Sequence, residues 1–245
     1  MTNITKVFIS FGGPSENYHN SLARISEEAN NIKIFDYIHG FTEKDLKNDI
    51  TFWENHGNFI ESNHRGYGYW LWKPYLIKTQ LDKLNENDIL MYADAGCQIN
   101  CEGISRLNDY IELLQNNEND YGVIAFDSGH YEYQYTKRKV LEFFGCNRED
   151  SKNLKQNHAT VIILRKKAHS INLINSWFEV CYNHYELIND ETCDESFSFI
   201  ENRHDQSIWS MTVHKHGAIK LSDETYFTNW ESEGNKFPFQ ARRLR

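Results

Sequence analysis

An α/β fold with a mostly parallel central sheet, flanked by helices, is what this sequence predicts, and three features predict it. Apolar runs of strand length recur along the chain, they lack the clean polar alternation of half-exposed strands, and segments of helical period separate them. The 245 residues contain only three prolines and no Gly/Ser-rich or Pro-rich linker, so residues 1–245 read as a single domain large enough to bury a core.

The first strand is Lys6 to Phe11, followed by a helix over Asn17 to Asn30. A second apolar run, Lys33 to Tyr37, leads into a helix over Glu43 to Asn55, which starts behind a Thr42 cap with Asp45 three residues on. The next helix, Pro74 to Leu84, places proline at its first position, where the missing N–H costs nothing. Strand Ile89 to Ala93, helix Ile104 to Gln115, strand Gly122 to Phe126, helix Lys137 to Phe144 and strand Thr160 to Leu164 continue the alternation. Helices Ser170 to His184 and Asp205 to His216 complete it. Trp53, Trp177 and Trp209 fall in helical segments and are assigned to the core.

Composition excludes several classes. With 26 basic and 35 acidic residues the net charge is −9, which argues against a nucleic-acid binder acting through bulk positive field, so any polyanion must be met locally. No apolar run approaches the roughly 18–20 residues of a membrane span. Met1 to Ser10 lacks the basic and apolar regions of a signal peptide, so a soluble, cytoplasmic protein is expected. Five scattered cysteines are read as reduced thiols.

Ligands of open α/β sheets sit at the carboxyl ends of strands, which directs attention to the turn after each strand. After the first comes Ser10-Phe11-Gly12-Gly13-Pro14, where glycine lets a backbone approach a base or phosphate, although neither GxGxxG nor GxxxxGK[ST] is present. Arg65-Gly66-Tyr67-Gly68-Tyr69-Trp70-Leu71-Trp72-Lys73-Pro74 crowds aromatics and cations together. It serves either as an aromatic plug or as a ligand wall in which Tyr69, Trp70 and Trp72 stack on a base or sugar while Arg65 or Lys73 meets an anion. Strand Ile89 to Ala93 runs into Asp94 and the small residues Ala95 and Gly96, putting a carboxylate where a cation or ribose hydroxyl could reach it. His204-Asp205-Gln206 opens a helix that closes with His214 and His216; the pair Asp205 and Gln206 is either a cap or part of a polar substrate pocket. Arg242-Arg243-Leu244-Arg245 reads as a frayed tail or a peripheral contact with an anionic membrane surface.

Tyr92-Ala93-Asp94-Ala95-Gly96 resembles the strand-end signature of GT-A nucleotide-sugar glycosyltransferases. Asp205-Gln206 is similar to the downstream Asp-Gln pair of the retaining branch that includes glycogenin and lipopolysaccharide galactosyltransferases (family 8-like). The resemblance spans Lys6 to Gly217 and implies a GT-A-like, Rossmann-like fold. It also implies transfer of a sugar from a nucleoside-diphosphate donor, UDP favoured, to a glycan or polysaccharide acceptor with retention. It carries over Asp205 and Gln206 to catalysis, Asp127 to sugar recognition with a candidate catalytic role, and Tyr92, Asp94 and Lys73 to the donor, to which the reading of the first turn adds Phe11 and Gly12. From the residues themselves rather than the resemblance, Arg65, Tyr69, Trp70, Trp72, Lys137 and His204 are the candidates for contacting the substrates. The resemblance further implies Mn2+ or Mg2+ held by Asp94 with the diphosphate and a later ligand such as His204, Asp205 or His216, although Gly96 stands where the family has its second carboxylate; alternatively Lys73, Arg65 and Lys137 neutralise the diphosphate without metal. A metal-dependent phosphoesterase using Asp94, His204 and Asp205, and a non-catalytic carbohydrate-binding protein keeping the aromatic wall, remain as alternatives.

Overall fold

The computed structural model describes residues 4–244. In chain order the elements begin β1 (Lys6–Gly12), α1 (Glu16–Asn31), β2 (Tyr37–Thr42), α2 (Glu43–Asn48), α3 (Ile50–Ser62), the one-turn α4 (Gly66–Tyr69), α5 (Trp72–Lys83) and β3 (Ile89–Ala93). They continue with β4 (Gln98–Ile99), α6 (Ile104–Gln115), β5 (Val123–Tyr131), α7 (Glu132–Tyr135), α8 (Arg138–Phe143), α9 (Arg148–Ser151) and β6 (Lys155–Asn157). The last are β7 (Val161–Arg165), α10 (Ala168–Asn183), α11 (Tyr185–Ile188), α12 (Asp205–His216), β8 (Ile219–Leu221) and β9 (Phe239–Gln240).

Seven strands form one sheet in the order β2-β1-β3-β7-β5-β6, with β8 added to β5. Strands β1, β2, β3, β5 and β8 point the same way, and β6 and β7 run against them. The expected α/β architecture with a mostly parallel sheet is therefore present, interrupted where β6 leads to β7 without an intervening helix.

The side-chain period of two sorts the core onto both faces of the sheet. Val7, Ile9 and Phe11 of β1 with Leu90 and Tyr92 of β3 join one cluster, which also holds Trp72, Trp177 and Trp209. Phe8, Ile89 and Met91 join the other, with Leu22 and Ile25 of α1 and Tyr110 of α6. Burying side chains of this size contributes about 1.5–3 kcal/mol each. Trp177 and Trp209 are fully buried against one another, ring centroids 4.9 Å apart. Among the described residues no helix is long and apolar enough to cross a membrane.

Two boundaries differ from expectation. Residues 33–36 are a connection rather than a strand: Phe35 turns under the sheet onto Phe8, and the ladder with β1 runs from Tyr37. The helix expected over Glu43 to Asn55 begins with the Thr42/Asp45 capping box but breaks at Asp49, which caps α3 by accepting from the Phe52 amide at 3.0 Å.

A small second sheet decides where the end of the chain lies. β9 pairs antiparallel with β4, Phe239 is buried, and the Ala241 amide donates to Thr225 O at 2.7 Å. Residues 241–244 consequently form a strap that returns to the carboxyl end of β3, where the Leu244 amide donates to Gly96 O at 2.9 Å and the Ser21 hydroxyl to Leu244 O at 3.1 Å. The frayed tail expected here is instead packed. Arg245 and Met1 to Asn3 lie outside the described residues.

Candidate active site

A cleft of about 1450 Å3 opens at the carboxyl ends of β1 and β3. Its centre is three charged side chains from three elements: Lys73 in α5, Asp94 just after β3, and Asp205 opening α12. Lys73 Nζ lies 3.0 Å from Asp94 Oδ1 and 3.6 Å from Asp205 Oδ2, and donates to Ala159 O at 3.1 Å. The Tyr92 hydroxyl donates to the same Asp94 oxygen at 2.5 Å. Asp205 is 3% exposed and its Oδ2 has no hydrogen-bond donor, whereas the Asp94 side chain is 35% exposed and meets the cleft.

Two carboxylates share one ammonium, so one negative charge is in excess. Burial pushes the Asp205 carboxyl up to about 7; Lys73 opposes that shift and the charge of Asp94 reinforces it. Burial alone would favour deprotonation of Lys73, but Asp94 and Asp205 outweigh it and raise its pKa.

Local sequence explains this placement. His204 precedes α12 at φ 55° and ψ −122°, a conformation that costs on the order of 1–3 kcal/mol for a residue with a Cβ and directs Asp205 into the corner. The His204 ring stacks on Tyr69 at 4.8 Å and Trp70 at 5.5 Å, and its Nδ1 bonds Ile188 O at 2.7 Å. The aromatic wall is a left-handed turn: Gly66, Tyr67, Gly68, Tyr69 and Trp70 all have positive φ. It turns Tyr67, Trp70 and Trp72 to the cleft, with Phe11 stacked on Trp72 at 3.9 Å, while Tyr69 is 9% exposed and packs behind on His204.

The structure thus gathers Phe11, Arg65, Trp70, Trp72, Lys73, Tyr92, Asp94, His204, Asp205 and Gln206 around one cleft. Others expected there are elsewhere. Gly12 is not part of the lining: a Cβ on it would come 2.7 Å from Tyr18 O, so its small size serves the packing of α1 on β1. Asp127 accepts from the Gly129 amide at 2.7 Å and shapes a turn, leaving Ser128 and His130 to line the cleft.

Lys137 does not line the cleft. It is fully buried, and Nζ donates to Asn189 O, Asn189 Oδ1 and Glu191 O at 2.9–3.0 Å, which ties down the loop after α11. Burial brings its ammonium down to about 8. Gln206 is committed to the fold, accepting from the Ala159 amide at 3.2 Å and donating to Gln156 Oε1 at 2.9 Å. His158, Thr225, Tyr226, Trp230, Arg242 and Arg243 also line the cleft; only the basic run carried a sequence signal, and it pointed outward.

The metal set expected from the resemblance does not assemble. His216 ends α12, eleven residues and therefore about 16 Å along the axis from Asp205. Asp94 Oδ1 is already engaged by Lys73 and Tyr92, Gly96 offers no ligand, and the described residues contain no cluster of three His, Cys, Asp or Glu able to hold an ion. Of the other expected ligands, Asp205 is tied to Lys73 and His204 Nδ1 to Ile188 O, so the described side chains do not by themselves assemble a site that would hold a divalent cation unaided.

No protein family model matches the sequence, and no curated protein matches it. Among solved structures, a glycosyltransferase involved in glycosylation of the major capsid of PBCV-1 superposes with a TM-score of 0.52 at 9% identity, covering 96% of this chain and 91% of that one. The galactosyltransferase LgtC with donor and acceptor sugar analogs gives 0.49 at 12% identity over 93% of this chain and 83% of its own. Mouse xyloside xylosyltransferase 1 gives 0.48 at 11% identity over 94% and 91%. At such identities the likeness is one of fold, and it rests on the first of these: the chain has the GT-A glycosyltransferase fold.

Proposed function

We propose that the protein is a glycosyltransferase that moves a sugar from a nucleoside-diphosphate donor, a UDP-sugar by preference, to a hydroxyl of a glycan acceptor. The observation that carries this reading is the Lys73–Asp94–Asp205 corner at the carboxyl end of β3, open to a cleft with an aromatic wall.

Transfer breaks the bond between the anomeric carbon and the phosphate oxygen. The electron pair leaves with the diphosphate, the acceptor oxygen bonds to the anomeric carbon, and the hydroxyl proton passes to the departing diphosphate oxygen. Positive character builds on the sugar and negative charge on the leaving group. In this reading the ionised Asp205 faces the developing positive charge, held by Lys73, whose ammonium is engaged by the two carboxylates rather than by the phosphate. Asp94 orients the donor with its free oxygen, and Phe11, Tyr67, Trp70 and Trp72 offer faces for a base or sugar. Gln206 acts as a positioning residue through Ala159 and Gln156. Retention remains the favoured outcome on the resemblance of the Asp205-Gln206 pair.

The test is incubation with UDP- and GDP-sugars and a mixed glycan acceptor panel, reading nucleotide release and product mass. Turnover lost in Asp205→Asn supports the assignment. Absence of both nucleotide release and nucleotide-induced thermal shift in the wild-type protein would sink it.

A further inference from the structure

A chain of net charge −9 must place a counter-charge where a donor diphosphate would sit. Six lysines and arginines line the cleft, and most are already paired. Lys47 lies 3.2 Å from Glu61, and Arg65 lies 3.0 Å from Asp190 and 3.3 Å from Glu201. Arg203 lies 2.9 Å from Glu201. Lys73 is enclosed by Asp94, Asp205 and Ala159 O. Arg242 is engaged by neutral groups, donating to Gln98 Oε1 at 2.9 Å and lying 5.7 Å over Trp230. Among the described residues Arg243 is the cleft cation whose side chain has no partner, and it is exposed.

Its position answers to Gly96. A Cβ at Gly96 would stand 3.3 Å from Arg243 Cα, tight enough that the strap would have to shift. The Leu244 amide fastens the strap to Gly96 O, and Arg243 adopts φ 56° beside that bond. Where a second carboxylate would project, the chain has removed the side chain and laid an arginine-bearing backbone.

We infer that the strap is a diphosphate-binding element, with the Arg243 guanidinium supplying beside Asp94 and Gly96 the positive charge that a divalent ion would otherwise supply. This rests on the transferase reading above and specifies how that site meets its anion. A guanidinium suits the task, since its fork of N–H groups donates to two phosphate oxygens at once and its charge persists at every working pH. Donor binding is accordingly independent of added metal.

Calorimetric titration of the whole protein with UDP, in EDTA and again with manganese, tests this. The expected result is an affinity equal within about twofold in the two conditions, weakened about tenfold or more in Arg243→Ala and partly recovered in Arg243→Lys. Inorganic pyrophosphate is expected to compete with UDP on the wild-type protein and to lose that ability on Arg243→Ala, which separates the anion contact from base stacking. Thermal unfolding of the exposed-site variants at the wild-type temperature excludes a folding defect. Binding that disappears in EDTA and returns with manganese overturns the inference while leaving the transferase reading standing, as does wild-type affinity in Arg243→Ala. Failure of UDP to bind in either condition, with GDP titrated in its place also failing, overturns the transferase reading and this inference with it, whereas binding of GDP alone moves the same EDTA, manganese and Arg243→Ala comparisons to GDP.

Discussion

Two buried polar clusters lie along α12, and they are built in opposite ways. At its amino end the Lys73–Asp94–Asp205 corner leaves Asp205 Oδ2 without a hydrogen-bond donor and opens to the cleft. Further along, Gln206, Ser210 and His214 form a stripe at four-residue spacing that meets Glu132 and Gln156. Glu132 is fully buried, yet its carboxylate receives the Thr136 and Ser210 hydroxyls and the Gln156 amide at 3.4 Å, with the His214 ring, bonded to Lys155 O, lying 3.2 Å away. Completed hydrogen bonding marks this second cluster as scaffold, because a buried charge with all its donors present has nothing left to offer a ligand. The first keeps an unsatisfied oxygen and an excess charge, at a stability cost that the fold tolerates only where something else is to be bound.

Substitutions at the two clusters break or sharpen the contrast. The largest effect is expected from Lys73→Met, which leaves the buried Asp205 facing the half-buried Asp94 with no cation between them: about 3–5 kcal/mol of stability is lost in chemical denaturation, and turnover with it. Asp205→Asn removes the excess charge instead. Donor turnover falls by about 10²–10³-fold while the unfolding midpoint stays near or above wild type. Glu132→Gln has the reverse signature, losing about 2 kcal/mol in denaturant titration while each folded molecule turns over donor at nearly the wild-type rate. A Glu132 variant that stays folded but inactive, paired with an Asp205 variant that unfolds, would mean that scaffold and site have been exchanged.

The smallest effect is one of pH. Asp205 holds its proton up to about 7, so the ionised form needed for transfer is lost as pH falls through that value. The acid limb of kcat/KM should therefore bend near 7 in the wild-type enzyme and be absent from the residual activity of Asp205→Asn. A wild-type profile flat from pH 5 to 8 contradicts the proposed role.

What was legible in the sequence was local. Alternating strand and helix periods gave the fold class, the Thr42/Asp45 capping box fixed the start of α2, and the acidic turn after β3 picked out Asp94. Side-chain direction after an irregular loop was not legible: Lys137 is expected on paper to meet a substrate and in fact holds the loop at Asn189. The pairing of Asp94 with His216 failed because a helix of twelve residues carries its two ends apart, although both residue types suit a metal.

The sequence by itself determined the α/β class, the buried strands and the carboxylates at Asp94 and Asp205, since these follow from periodicity and from short-range strand and cap chemistry. Only the tertiary structure decided that Lys73 neutralises both carboxylates and that Gln206 belongs partly to the scaffold. It alone placed the strap bearing Arg243 on Gly96. Each of these contacts joins segments far apart in the chain, and such pairings are set by how the sheet and its helices close on the core, which no local pattern records.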